Sequence, residues 1–113
     1  MATPETMIMP QLGRKKSEAL QAMSGRALEA AQVLKAMASE TRLKIMCALS
    51  AGEQPVNALA DMTGQSQSVV SQHLAKLRAA GLVDSRREGQ TIFYRCTPGI
   101  AQEIIDALCN FYL

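Results

Sequence analysis

Residues 66–96 read SQSVVSQHLAKLRAAGLVDSRREGQTIFYRC, and the change of period halfway along decides the fold. In the first half, at 100° per residue, Leu74 and Leu77 fall within about 40° of Val70, which is the apolar stripe of a helix. Ser66 is an N-cap residue and Gly81 stands where a left-handed C-terminal residue belongs, so the helix is expected from Gln67 to Ala80. Beyond it, Leu82–Arg87 and Thr91–Cys96 flank Glu88-Gly89 and read as two short strands of a hairpin.

Upstream, Pro55 opens a short helix with Val56, Leu59, Ala60 and Met62, ended by Gly64. Two short helices meeting at a glycine and followed by a hairpin describe a winged helix-turn-helix, mainly α with a small β wing. Ser39 is expected to cap the preceding helix, whose apolar arc is Leu43, Ile45, Met46 and Leu49. Arg42 occupies the place where a capping box carries Glu. A first helix is expected from Ser17 to about Ala38, tolerating Gly25 at about 1 kcal/mol if a tight helix contact requires a missing side chain. Thr97 and Pro98 read as N-cap and first residue of a last helix carrying Ile100, Ile104, Ile105, Leu108, Phe111 and Tyr112. Residues 1–16, with two prolines and the basic run Arg14, Lys15 and Lys16, read as a flexible arm, and residues 17–113 as one domain.

Composition agrees with that architecture. A chain of 113 residues, 48% apolar, with no Trp and four aromatics between Phe93 and Tyr112, must build one core from aliphatic side chains and Met. No apolar run approaches the roughly 20 residues that cross a bilayer, so the expectation is a cytoplasmic protein with no membrane partner. Cys47, Cys96 and Cys109 have neither the spacing of a zinc site nor the density of a disulfide scaffold. No nucleophile and base pair, phosphate loop or metal constellation can be read, which excludes the usual enzyme classes and calls for no cofactor and no metal.

The net charge of +2 conceals an asymmetry. Between Gly64 and Thr97, Lys76, Arg78, Arg86, Arg87 and Arg95 face only Asp84 and Glu88, leaving +3 there and −1 elsewhere. On the helix 67–80, Ser68, Gln72 and Ala75 lie opposite the apolar stripe, Ser71 and Lys76 flank them, and no carboxylate occurs at any position. Such a face suits base edges and phosphates in a major groove. Gln67, Ser68, Ser71 and Gln72 are therefore candidate DNA-reading residues, with Lys76, Arg86 and Arg87 on phosphates and Gln90 at the wing tip. His73, the chain's one histidine, falls beside the apolar stripe, where it either anchors the helix or touches phosphate. The competing readings are an edge hairpin protected by charge and a winged helix used for protein contacts alone. One winged helix reads half a site, so an inverted-repeat operator and a homodimer through the first and last helices are expected. Those helices could equally cap one protomer's core.

The stretch Leu34–Arg95 resembles the ArsR/SmtB family of small dimeric bacterial repressors, in particular MASETRLKIM (37–46), SQSVVSQHLAKLRAAGLV (66–83) and RREGQTIFYR (86–95). Within the family it is most similar to the HlyU/BigR/SqrR/NolR-like branch. The resemblance implies a repressor that leaves its operator when an inducer binds or modifies it. The cysteine pair with which some relatives bind metal would fall near Pro55 and Asn57, which cannot replace it, and the last helix offers Glu103 and Asp106 without a histidine. Metal sensing is thus the minor reading. In the branch, members responsive to reactive sulfur or oxidants carry one cysteine on the second helix, matched by Cys47, and one near the end of the last. The latter aligns with Leu113, and Cys109 lies one turn earlier. The resemblance therefore implies a thiol switch at Cys47 and Cys109, provided their Cα atoms come within about 7 Å. The alternative for each is a small buried hydrophobe, the reading preferred for Cys96.

Overall fold

The computed structural model describes residues 16–113, so the expected arm lies almost wholly outside the described residues. Helical residues 16–24 (α1) precede α2 (Ala27–Met37), α3 (Glu40–Ser50), β1 (Gln54–Pro55), α4 (Val56–Thr63) and α5 (Gln67–Ala79). The wing strands β2 (Val83–Glu88) and β3 (Thr91–Cys96) follow, then α6 (Ile100–Tyr112). The chain divides into two units between Gln32 and Val33, and the second carries the core and the candidate functional surfaces.

The helix-turn-helix ends where its punctuation predicts. The Ser39 hydroxyl accepts from the Arg42 N–H at 3.3 Å, and the Ser66 hydroxyl from the Val69 N–H at 3.1 Å. Gly64 closes α4 in the left-handed region at φ +70°. At the end of α5 the Leu82 N–H bonds to Leu77 O at 2.9 Å and the Gly81 N–H to Arg78 O at 2.9 Å. Those paired bonds make a Schellman motif, with Gly81 at φ +75° and both Leu77 and Leu82 buried. The turn into the wing is thereby welded to the core.

Three expectations need correction. The single helix 17–38 is broken at Gly25–Arg26, where the Arg26 N–H reaches back only three residues to Met23 O (2.8 Å) and the Ser24 hydroxyl donates to Leu20 O (2.7 Å). A Ser-Gly pair loosens the helical ladder, and among the described residues a Cβ on Gly25 would meet nothing within 4 Å, so no tight contact there calls for the glycine. The last helix begins at Ile100 with Gly99 (φ +152°) as its cap, not at Thr97-Pro98. Thr97 is engaged elsewhere: its N–H donates to Leu82 O at 3.0 Å and closes the base of the hairpin. Finally, β1 adds a third strand to the wing, in the order β1-β3-β2, with Pro55 opposite Phe93. Two residues carry no periodicity to read, and a proline is accommodated because β1 is an edge.

Ile45 and Met46 from α3, Leu59 from α4, Val70, Leu74 and Leu77 from α5 and Ile105 from α6 are fully buried. Each such side chain contributes roughly 1.5–3 kcal/mol of burial free energy, so the stripe that defines α5 also fixes it to the domain. Cys96 is buried with its thiol donating to Met46 O at 3.8 Å, and burial, followed by the charge of Asp106, pushes its pKa up. It is an inert core residue. Among the described residues no helix is long and apolar enough to cross a membrane.

Candidate nucleic-acid interface

With Val70, Leu74 and Leu77 turned inward, helical geometry turns Gln67, Ser68, Ser71, Gln72, Ala75 and Lys76 outward, and all six are exposed. Gln67 and Ser71 line one wall of a cleft of about 480 Å³ whose other side is the wing tip at Gln90, Thr91 and Ile92. Of the four expected reading residues, Gln67 and Ser71 thus share a cleft with Gln90, while Ser68 and Gln72 are exposed on the same helix outside it. Asn57, in the first turn of α4, lines the same cleft and was not singled out from the sequence. Its one sequence signal is a polar side chain in the first turn of α4, a helix whose other polar residues, Asp61 and Thr63, fall in its second half.

The wing arginines are sorted by strand alternation. In the β2–β3 ladder Arg87 stands opposite Ile92 and Ser85 opposite Tyr94, on the face where Ile92 and Tyr94 line clefts shared with α5. Arg86 stands opposite Phe93 on the other face. There its guanidinium lies 4.7 Å from the Phe93 ring centroid and donates to both Glu53 oxygens, with Nη2 2.8 Å and Nε 2.8 and 3.0 Å away. A further bond runs to Glu88 at 3.0 Å. These carboxylates raise the Arg86 pKa, and the hydrogen bond from Arg86 holds the Glu53 carboxyl below its ordinary value. Arg86, expected on phosphate, is engaged in pinning the loop before β1 to the wing. Arg87 is exposed on the α5 side and makes no ion pair within 4 Å among the described residues.

His73 is half-buried, with its Nδ1 3.2 Å from Nη1 of Arg42. Burial first, then the charges of Arg42 and Lys76, push its pKa down and favour the neutral ring. Among the described residues no group of three or more His, Cys, Asp or Glu side chains is gathered as a metal site would need.

Cys47 on α3 and Cys109 on α6 are joined in a disulfide, their Cα atoms 6.8 Å apart. The α6 face explains why the partner lies a turn before the position the resemblance implies. Ala101, Ile105 and Cys109 follow one another at four-residue intervals, and the first two are buried, whereas Leu113 at the chain end is exposed. Beside the pair lies an apolar pocket of about 360 Å³, walled by Leu43, Ile105, Leu108 and Tyr112 with Lys44 at its edge.

Comparison with known proteins gives this arrangement its context. Residues 39–85 match the family described as bacterial regulatory protein, arsR family. The transcriptional activator HlyU of Vibrio cholerae is 43% identical over 93 residues, covering 82% of this chain and 86% of that protein. Its reduced form superposes with a TM-score of 0.77 over 81% of this chain and 97% of that one, at 42% identity. The transcriptional repressor BigR of Xylella fastidiosa superposes at 0.76 over 82% of this chain and 95% of that one, at 36% identity. A homodimeric winged helix-turn-helix DNA-binding domain of Mycobacterium bovis gives 0.69 over 79% and 82%, at 31% identity. A winged helix-turn-helix of this construction, matched at such identity over nearly the full length of a curated regulator, belongs to the arsR family of bacterial regulatory proteins.

Proposed function

We propose that the protein is a homodimeric repressor that binds an inverted-repeat operator and releases it when Cys47 and Cys109 become linked. The observation that carries the DNA half is the outward face of α5, wholly without carboxylates and sharing a cleft with the wing. Gln67, Ser68, Ser71 and Gln72 read base edges from it, Gln90 reaches the adjacent groove, and Lys76 and Arg87 hold phosphates. His73 and Arg86 support those contacts from behind. The dimer is supported by the apolar surface that α6 leaves exposed at Ile100, Leu108, Phe111 and Tyr112, and by the homodimeric relative. Repression is the activity named for BigR and activation that named for HlyU, and the former is the one proposed for this chain.

The switch is supported by the approach of the two cysteines across the α3–α6 contact. Linking them removes two electrons and two protons, accepted by a peroxide that becomes two waters or by a persulfide that becomes a thiol and hydrogen sulfide. Because α3 also packs on α5, a covalent tie to α6 alters the pose of the reading helix. A coupling of about 1–3 kcal/mol gives release by several-fold to about a hundred-fold.

The test is binding to promoter fragments by wild type and Cys47→Ser, with thiols reduced and after peroxide or persulfide. Steep loss of affinity with salt and oxidant release of wild type alone is the expected pattern. Equal release of both proteins eliminates Cys47 as the switch, and affinity indifferent to salt eliminates the DNA reading.

A further inference from the structure

Arg42 is the third residue of α3, the place at which a capping box would return a carboxylate to its own N-cap. Its side chain goes the other way. Nε donates to Ala36 O at 2.6 Å, a carbonyl in the last turn of α2, where helix carbonyls lack intrahelical partners. Nη1 lies 3.2 Å from Nδ1 of His73 on α5. The backbone N–H of the same residue is the donor to Ser39. One half-buried guanidinium therefore joins α2, α3 and α5, and no carboxylate lies within 4 Å of it among the described residues.

A guanidinium has donors only, so Nδ1 must accept and the imidazole proton sits on Nε2. We infer that Arg42 and His73 form a positioning link that sets the rotation of the reading helix on α3, with His73 acting through Nδ1 instead of touching DNA. The inference rests on the DNA reading above but goes beyond it, since that reading names the face of α5 and not what aims it.

The need for such a link comes from the chemistry of the α5 contact. Val70, Leu74 and Leu77 are aliphatic, and aliphatic contacts resist separation but repack at small cost when a helix rolls. A hydrogen bond is directional and selects one orientation. A side-chain tip stands about 5–6 Å from a helix axis, so a roll of about 10° carries it about 1 Å. That displacement is enough to lose a base-edge hydrogen bond at the adjacent Gln72. Because Arg42 also holds Ala36, the link ties the aim of α5 to the end of α2.

Three substitutions at one position separate the roles. His73→Asn keeps an acceptor near the Nδ1 position, His73→Gln keeps a donor near Nε2 and loses that acceptor, and His73→Leu keeps neither. Each is measured for affinity to a duplex selected from a random pool by wild type, affinity to a scrambled duplex, the salt slope of both, and Tm; Arg42→Lys is measured in parallel. The link predicts His73→Asn within about two-fold of wild type on the selected duplex. His73→Gln, His73→Leu and Arg42→Lys are expected to be about ten-fold weaker there, with scrambled-duplex affinity and salt slope unchanged. A preserved His73→Gln with a weakened His73→Asn, and a slope reduced by about one, would overturn the inference in favour of direct phosphate contact. Losses on both duplexes that merely track Tm, with His73→Asn included, would overturn it in favour of a structural role. Failure of wild type to select any sequence overturns the DNA reading itself and is recognisable before any variant is made.

Discussion

Arg86 and Arg87 are neighbours in sequence, identical in chemistry, and opposite in circumstance. Alternation sends Arg86 to the face where Glu53 and Glu88 occupy its guanidinium and Arg87 to the face beside α5. Arg87→Ala is expected to weaken binding to all duplexes alike and to lower the salt slope by about one, whereas Arg86→Ala leaves the slope unchanged; equal slopes for both variants would contradict the sorting. The sequence showed both arginines beside a turn, but not Glu53 thirty-three residues earlier, because no local pattern announces a partner brought in by a two-residue strand. His73 makes a separate prediction. Its pKa lies below the ordinary 6.5, chiefly through burial, so below about pH 6.5 the unfolded chain takes up the proton more readily than the folded one. Stability is then full above about pH 6.5 and falls as the pH drops towards the folded pKa. Thermal unfolding of wild type should show this decline, and His73→Asn, which cannot titrate, should lack that component. An unchanged pH profile in the variant would remove His73 as its source.

At the scale of elements, α4 and α5 were legible almost to the residue because caps and stops are local chemistry. Ser66, Gly64 and Gly81 do what their types predict. Ser66→Ala should cost about 1 kcal/mol, read as a lower denaturant midpoint with unchanged slope, since it orphans the Val69 N–H at the start of the reading helix. The misread boundaries were decided by partners outside the segment. Thr97 has the composition of a cap but its N–H is taken by Leu82, and β1 exists only because β3 offers it a partner. The sequence marks Gly25 as a weak helix residue but hides the break, because apolar spacing continues across it from Met23 to Ala27. Arg42 was noticed for the glutamate it replaces, yet its reach to α5 spans thirty-one residues.

Across the whole molecule, α6 carries both buried and exposed apolar side chains. Ala101 and Ile105 are buried against the domain, while Phe111 and Tyr112 are each 80% exposed and stack edge-on at 5.0 Å. Isolated exposed apolar side chains are ordinary, but a run of them on one helix marks a contact surface. Phe111→Glu is expected to shift sedimentation from dimer to monomer and to weaken operator binding far more than scrambled-duplex binding; a variant that remains dimeric would move the interface elsewhere. The two sides of α5 have a different consequence. Val70, Leu74 and Leu77 hold the domain together, and none of Gln67, Ser68, Ser71 or Gln72 is buried. Exposed substitutions away from caps and networks usually change stability by no more than about 0.5 kcal/mol. On the proposed reading of α5, sequence preference can therefore drift in evolution, or be reprogrammed, by exchanging the outer side chains while the inner stripe stays fixed, and a gene duplicate could acquire a new set of targets without first passing through an unfolded ancestor.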